Sequence, residues 1–319
     1  MPARKLRVGV VMDPIQSIKP KKDSSLAMLL EAGRRDAEIH YMLQADLKIL
    51  AGEALAHSKL LKVRDDNEDW FTIGESRDIC LGDLDVILMR KDPPFDMEYI
   101  YSSYILERAE EAGALIVNKP QSLRDMNEKA YTAWFPQCAP LTLITRSMRE
   151  MKEFMAEHGR IVVKPLDGMG GKSIFVVTKG DNNANVIIET LTDHGRRFAV
   201  AQVFIPEISD GDKRILLVDG EPVPYALARI PSADEHRGNL VMGATGEARE
   251  LTERDAWICE QVGPVLRERG VIFAGIDVIG DYLTEINVTS PTGIRELDTA
   301  FDLNIAGTLF DAIDARLSR

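Results

Sequence analysis

Residues 164–175, KPLDGMGGKSIF, place three glycines within four positions and carry lysines at 164 and 172. Two phosphate-binding patterns can be tested on them position by position. A Walker A loop ending in Gly171-Lys172-Ser173 needs glycine at 166, where the chain has Leu166, and a dinucleotide fingerprint starting at Gly168 needs glycine at 173, where it has Ser173. Both of those loops also lead from a strand into a helix, whereas SIFVVT (173–178) has the β-branched composition of a second strand. The stretch therefore reads as the tip of a glycine-rich β-hairpin. Glycines there let backbone N–H groups lie along a nucleotide's phosphates because no Cβ blocks the approach. A hairpin tip that binds nothing has the same composition, so on this stretch alone both readings stay open.

The flanking sequence alternates helix and strand periods. A helix over SLRDMNEKAYTAWF (122–135), a strand LTLIT, a helix MREMKEFMAEHG, the strand RIVVKP, the hairpin and a helix near NANVIIETLTDHG make a small α+β unit. Upstream, LRVGVVM (6–12) is followed by Asp23-Ser24-Ser25, which can cap LAMLLEAGRR. AEIHYML, LDVILMR and ALIVNK are further strands, with a long helix over MEYIYSSYILERAEEAG. This βα order predicts an open parallel sheet. Ligands of such sheets bind beyond the carboxyl ends of the strands. Here those ends carry Met12-Asp13-Pro14, Arg90-Lys91-Asp92-Pro93-Pro94 and Asn118-Lys119-Pro120. Taken one at a time, such residues serve as strand terminators more often than as ligand contacts.

Downstream, DKRILLVDGEPVPYALARI folds back at Asp219-Gly220, and GIDVIGDYLTEINVTSPTG (275–293) folds back at Gly280-Asp281. If the second connection takes three residues, Asp277 stands opposite Glu285, with Asn287 on the same face. Like charges repel in that position. Two carboxylates and an amide are the oxygen donors that Mg²⁺ selects, commonly together with substrate phosphates; a solvated acidic hairpin face is the alternative. Lys129, Lys164, Arg214 and Arg229 lie in or beside predicted regular elements and complete a Mg-nucleotide constellation. The polar stretch 231–247 has the length of an active-site lid or a mobile linker.

Composition bounds the rest. The chain has 319 residues, 45% hydrophobic and 28% charged, which suits two or three compact units. A formal net charge of −12 disfavours nucleic acid and membrane surfaces as partners. No segment has the pattern of a secretory signal or the length of a membrane span, so a cytoplasmic protein is expected. Cys80, Cys138 and Cys259 are far apart and form no CxxC pair, which indicates neither a disulfide framework nor a zinc site.

VMDPI, KKDSSLAMLLEA, DLDVILMRKDPPFD, IYSSYILERAEE, IVNKPQSLRDMNEK, KPLDGMGG, DGDKR, VDGEPVPYALARIP, RGNL and LTEINVTSPTGIRE together resemble the prokaryotic glutathione synthetases of the ATP-grasp superfamily over essentially the whole chain. The resemblance implies an α/β and α+β protein: an ATP-grasp fold preceded by an open parallel-sheet (pre-ATP-grasp) domain. Its units would be an N-terminal substrate domain (1–122), a central lid (123–201) and a C-terminal lobe (202–319) with a flexible loop at 230–245. The implied reaction is ATP-dependent ligation of γ-glutamylcysteine to glycine through an acyl phosphate. Lys129 and Lys164 would touch the ATP phosphates, and Gly168, Gly170 and Gly171 would cover them. Gln202, Val203, Phe204 and Ile205 would hold the adenine, with Asp212 nearby. Asp277, Glu285 and Asn287 would bind Mg²⁺, or Mn²⁺ in its place. Arg214 and Arg229 would steady the acyl phosphate, Arg237, Gly238 and Asn239 would close over it, and Ser290, Thr292 and Gly293 would seat the peptide. Partners are then small molecules, within a homo-oligomer. Two other classes share parts of this pattern. A D-alanine–D-alanine ligase or glutamate-adding enzyme would need other N-terminal loops than KKDSS and MRKDPPFD, and a regulatory module without turnover would lack some of the lysines or metal ligands.

Overall fold

The continuous apolar runs of the N-terminal third form the middle of a seven-stranded sheet. The computed structural model describes residues 4–168, 170–231 and 245–318. β1 (Arg7–Val11), β2 (Glu38–Met42), β3 (Leu47–Leu50), β4 (Glu53–Val63), β5 (Phe71–Cys80), β6 (Val86–Met89) and β7 (Leu115–Val117) run in the order β3-β4-β2-β1-β6-β7, with β5 paired to β4. β2, β1, β6 and β7 are mutually parallel, as expected for strands buried on both faces. Gly9 on β1 is closely packed: a Cβ there would lie 2.7 Å from Leu84 Cδ1 and 3.1 Å from Met42 Cε, so these side chains would have to shift. The helices are α1 (Ser24–Arg34), capped by the Asp23 carboxylate on Leu26 N at 2.6 Å, α2 (Met97–Glu111) and α3 (Pro120–Asp125).

Two sequence expectations need correction. The sheet is mixed, because β3, β4 and β5 add antiparallel strands. Most of β5 faces solvent and so lacks the alternation that marks a half-buried strand. The helix expected over 122–135 also breaks. α3 stops at Asp125, and Asn127 Oδ1 accepts from the backbone N–H of Lys129 (3.1 Å) and Ala130 (2.9 Å) before a 3₁₀ turn, Ala130–Trp134. An asparagine side chain competes in this way with the helix ladder.

The central sheet, in order β10-β9-β11-β8, comprises β8 (Thr142–Thr145), β9 (Arg160–Pro165), β10 (Phe175–Thr178) and β11 (Ala199–Val203), all antiparallel. α4 (Met148–His158) and α5 (Ala184–Leu191) cover one face, where Met151, Ile161, Val163, Val177, Ile188, Ala199 and Ala201 form a small core. Alternation sends Val162, Lys164 and Gln202 to the other face.

The last sheet, β14-β13-β12-β15-β16, is antiparallel throughout. Its strands are β12 (Asp212–Val218), β13 (Glu221–Ile230), β14 (Thr245–Glu250), β15 (Phe273–Ile279) and β16 (Tyr282–Asn287). They are followed or interrupted by α6 (Glu253–Glu268), α7 (Ile294–Phe301) and α8 (Ile305–Leu317). The β12–β13 turn has positive φ at both Asp219 (49°) and Gly220 (82°), as a two-residue hairpin of this twist requires. This lobe and the N-terminal unit share two hydrophobic clusters, one joining Ile87 and Tyr99 to Ile276 and Val288, the other joining Met28 and Leu88 to Phe273 and Phe310.

Candidate active site

β12 sorts its charges by face. Lys213 points back to the buried Asp255 of α6 at 2.5 Å, while Asp212 and Arg214 point forward. The register sets Arg214 opposite Asp277 and Asp277 opposite Glu285, and sets Asp212 opposite Arg229. The Asp277–Glu285 pairing has a different origin from the three-residue connection expected. Ile279 pairs with Tyr282 across a two-residue turn, and a bulge at Thr284 shifts the register by one. Thr284 Oγ1 donates to Asp277 O at 3.1 Å.

These side chains form a buried ionic floor. Arg214 grips Asp277 with two bonds, Nε to Oδ1 at 2.5 Å and Nη2 to Oδ2 at 2.8 Å. Arg229 Nη2 lies 2.9 Å from Asp277 Oδ2 and 2.5 Å from Asp212 Oδ2. Asn287 Nδ2 donates to Asp277 Oδ2 at 3.3 Å. Burial alone would raise the Asp277 carboxyl, but Arg214 and Arg229 override it and hold the group well below the usual carboxylate range. For Asp212, burial, opposed by Arg229 and reinforced by Asp277 and Glu285, pushes the carboxyl up to about 7. Among the described residues its buried Oδ1 has no hydrogen-bond partner.

A cleft of about 340 Å³ separates this floor from the open face of the central sheet. Val162, Lys164 and Gln202 line it, together with Val203, Phe204, Ile205 and the turn glycines Gly168, Gly170 and Gly171. Gly170 and Gly171 have φ of 65° and 75°, which other residues rarely adopt. Two lysines span the divide. Lys129 Nζ donates to Gly168 O at 2.5 Å, bonds Glu128 and lies 3.6 Å from Glu285; Lys164 Nζ is 3.7 Å from Glu285. Two carboxylates thus share one lysine. Burial opposes ionisation of Glu285, yet Lys129 and Lys164 hold it below its ordinary value. Burial and then Glu285 push Glu128 up to about 7. Burial holds Lys164 below its ordinary value despite Glu285.

Most of the residues singled out from sequence line this one cleft. Three do not. Ser290, Thr292 and Gly293 lie past β16, on a seam with the N-terminal loops, where Ser290 Oγ donates to Asp92 Oδ1 at 2.8 Å. The same seam gathers Asp13, 2.9 Å from Lys91 Nζ, and Arg90, which donates to Pro291 O at 2.9 Å. In the third loop flagged from sequence, Asn118 acts as a clasp. Buried Asn118 donates to Phe273 O (2.7 Å) and Val288 O (2.6 Å) and accepts from Ile272 N and Phe273 N, binding the N-terminal unit to β15. Arg237, Gly238 and Asn239 lie outside the described residues. Glu128 went unread, since the helix expected there gave no reason to aim it at Lys129.

Among the described residues no three His, Cys, Asp or Glu side chains cluster as a metal site on their own. The donor set Asp277, Glu285 and Asn287 is nevertheless all oxygen, the chemistry of a hard divalent cation. Asn287 has its amide N–H on Asp277, leaving the amide oxygen as the atom it can offer. The residues fit such an ion, which would share Asp277 and Glu285 with their basic partners.

Comparison with known proteins agrees with this architecture. Residues 6–124 match the family described as prokaryotic glutathione synthetase, N-terminal domain, and residues 128–302 match prokaryotic glutathione synthetase, ATP-grasp domain. Glutathione synthetase of Vibrio parahaemolyticus is 60% identical over 312 residues, covering 98% of this chain and 99% of the relative. That of Escherichia coli K12 is 60% identical over 314 residues, with 98% and 99% coverage. Among solved structures, the D-cycloserine synthetase DcsG superposes with a TM-score of 0.68 at 14% identity, covering 97% of this chain and 99% of that one. The ATP-grasp ligase PsnB, complexed with minimal precursor, Mg and ADP, gives 0.62 at 16% with 98% of each chain covered. D-alanyl-alanine synthetase A of Vibrio cholerae gives 0.62 at 12% with 99% of each covered. The structural likenesses establish the ATP-grasp fold, and the sequence matches decide within it: the chain belongs to the prokaryotic glutathione synthetase family.

Proposed function

We infer that the chain joins γ-glutamylcysteine to glycine with consumption of ATP, giving glutathione, ADP and phosphate. The carrying observation is the 60% identity to curated glutathione synthetases along 98% of the chain. The D-alanine-adding alternative is supported only by fold likeness at 12% identity. In this reading residues 1–122 receive the dipeptide, 123–201 act as the lid and 202–319 supply the reactive floor.

A carboxylate is a poor electrophile. Transfer of the γ-phosphoryl group onto the cysteinyl carboxylate makes an acyl phosphate. The amine of glycine then attacks its carbonyl carbon, the C–N bond forms, the C–O bond to phosphate breaks, and the proton lost by nitrogen passes to solvent. Lys129 and Lys164 suit the phosphate oxygens because they enter the cleft beside the glycine turn, and the turn's backbone can cover the triphosphate. Val203, Phe204 and Ile205 offer an apolar slot for the adenine beside Gln202, and the unpartnered Asp212 oxygen can accept from it. Arg214 and Arg229 can transfer part of their pairing from Asp277 to an acyl phosphate. Asp277, Glu285 and Asn287 would hold Mg²⁺ or Mn²⁺, which offsets charge on the transferring phosphoryl oxygens. Ser290, Thr292 and Gly293 suit the peptide because their seam joins the N-terminal loops. Arg237, Gly238 and Asn239 in the 230–245 segment would exclude water, to which an acyl phosphate is otherwise lost. ATP supply implies the cytoplasm, and homo-oligomerisation would bury the exposed Met97, Tyr101 and Tyr104 of α2.

Phosphate release tests the assignment directly. ATP turnover should require γ-glutamylcysteine and an amino acceptor together, with glycine preferred. Turnover with D-alanine alone and none with the thiol dipeptide would overturn it.

A further inference from the structure

β5 is an edge strand that buries little of itself. Thr72 to Asp78 are exposed throughout, and so are residues 64–69 of the connection from β4. The apolar contact of this hairpin is concentrated at its far end, where Val63, Trp70 and Phe71 pack against the cluster that contains Ile15 and Tyr41. There the Trp70 indole N–H donates to Ile15 O at 3.0 Å, and Ile15 N donates to the buried Tyr41 hydroxyl at 3.1 Å. Side chains from the hairpin and from β2 thus hold both backbone polar groups of a fully buried residue. Pro14, with its ring-fixed φ of −50°, joins Ile15 to Asp13. Asp13 in turn accepts from Asp92 N at 3.0 Å and pairs with Lys91, and Asp92 accepts from Ser290. The hairpin also reaches the other side of the seam: Asp65 Oδ1 lies 2.6 Å from Nη2 of Arg295, in the first turn of α7, which starts just after Gly293.

We propose that the β4–β5 hairpin is a strap that fixes the seam between the N-terminal loops and residues 290–293, and that Trp70 and Tyr41 are positioning residues for the dipeptide, acting through Ile15 on Asp13. This rests on the ligase reading above and adds to it residues that act from outside the seam. Release of either bond frees the Ile15 peptide unit. Asp13 then moves, and with it the Lys91 and Asp92 contacts that lead to Ser290. None of the strap residues lines the cleft between the floor and the central sheet, so the nucleotide is unaffected. Loss of one hydrogen bond at a largely buried position corresponds to about fivefold in affinity.

Steady-state kinetics on the full chain with ATP, Mg²⁺, γ-glutamylcysteine and glycine test this. Trp70→Phe removes the indole N–H and Tyr41→Phe removes the hydroxyl, each keeping an aromatic ring in place. The two residues lie on different segments, so a folding defect in one variant leaves the other as the test. Each should raise the KM for the dipeptide about fivefold, while the KM values for ATP and glycine stay within about twofold of the unaltered chain. A purely structural role would move all three together. An unchanged dipeptide KM in both variants, or a rise in the ATP KM as large as that for the dipeptide, overturns the strap. If the unaltered chain makes no product from γ-glutamylcysteine and glycine, the ligase reading itself falls, and the strap's role falls with it.

Discussion

The two walls of the cleft are built on opposite plans. The floor lies on strands whose hydrophobic core is continuous with the N-terminal unit, and it holds its charges in buried cross-strand pairs, Asp277 between Arg214 and Arg229. The cover is a four-stranded sheet with its own small core and a glycine turn. Charge in the floor is therefore structural as well as chemical, whereas the cover can be altered without disturbing the rest of the molecule. The largest expected effect tests the first half of that statement. Asp277→Asn leaves two buried guanidinium groups without their shared carboxylate, so ligation should fall at least about 1000-fold and stability by about 3 kcal/mol. Activity assays paired with urea unfolding check it; an inactive variant of unchanged stability would show that the floor's ion pairs are not structural.

Lys164→Met on the cover should separate the two effects. The lysine contributes a 3.7 Å approach to Glu285 and a 3.4 Å contact to Thr284 O, and Glu285 keeps Lys129 at 3.6 Å. Burial already disfavours its charge, so a methionine of similar volume should cost less than about 1 kcal/mol. Ligation should still fall about 100-fold or more from loss of a phosphate contact. A large loss of stability would erase the contrast between the walls. A smaller effect comes from Gly168→Ala, whose Cβ would sit 2.5 Å from Pro165 Cγ and 3.2 Å from Lys172 O. The turn must shift, so the KM for ATP should rise about fivefold while unfolding stays within about 0.5 kcal/mol of the parent. Unchanged ATP kinetics would mean that the turn does not touch the nucleotide.

Sequence period and turn chemistry revealed much of both walls, but unevenly. The β12–β13 hairpin was legible because Asp219-Gly220 supplies two positive φ angles, and the parallel strands because β6 is an unbroken apolar run and β1 is one after Arg7. The Asp277–Glu285 pairing emerged for a different reason from the one expected, since a bulge at Thr284 leaves no compositional mark. Glu128 was hidden for a local reason, the capture of two backbone N–H groups by Asn127, which apolar period cannot report. The pairing of the seam residues was out of reach for a third reason. Ser290 meets Asp92 through the packing of two units nearly two hundred residues apart, and nothing in either segment encodes the other.

The smallest effect concerns the residue between the walls. Glu128 and Glu285 share Lys129, and two carboxylates around one cation titrate apart, Glu285 downward and Glu128 up to about 7. In the unfolded chain Glu128 returns to its ordinary 4.5. Its folded value is therefore the higher one, and the folded protein binds the proton more tightly. The stability this contributes is fully present below about pH 4.5 and is lost as pH rises toward about 7. Glu128→Gln cannot titrate and should lack that component. Without nucleotide or divalent cation, urea unfolding at pH 5 and pH 8 should show the native chain losing about 1–2 kcal/mol more than the variant between the two. The comparison with the variant removes titrations common to both proteins. An equal loss in the two would place Glu128 ionised at both pH values, and the lysine between the walls would then hold two full charges.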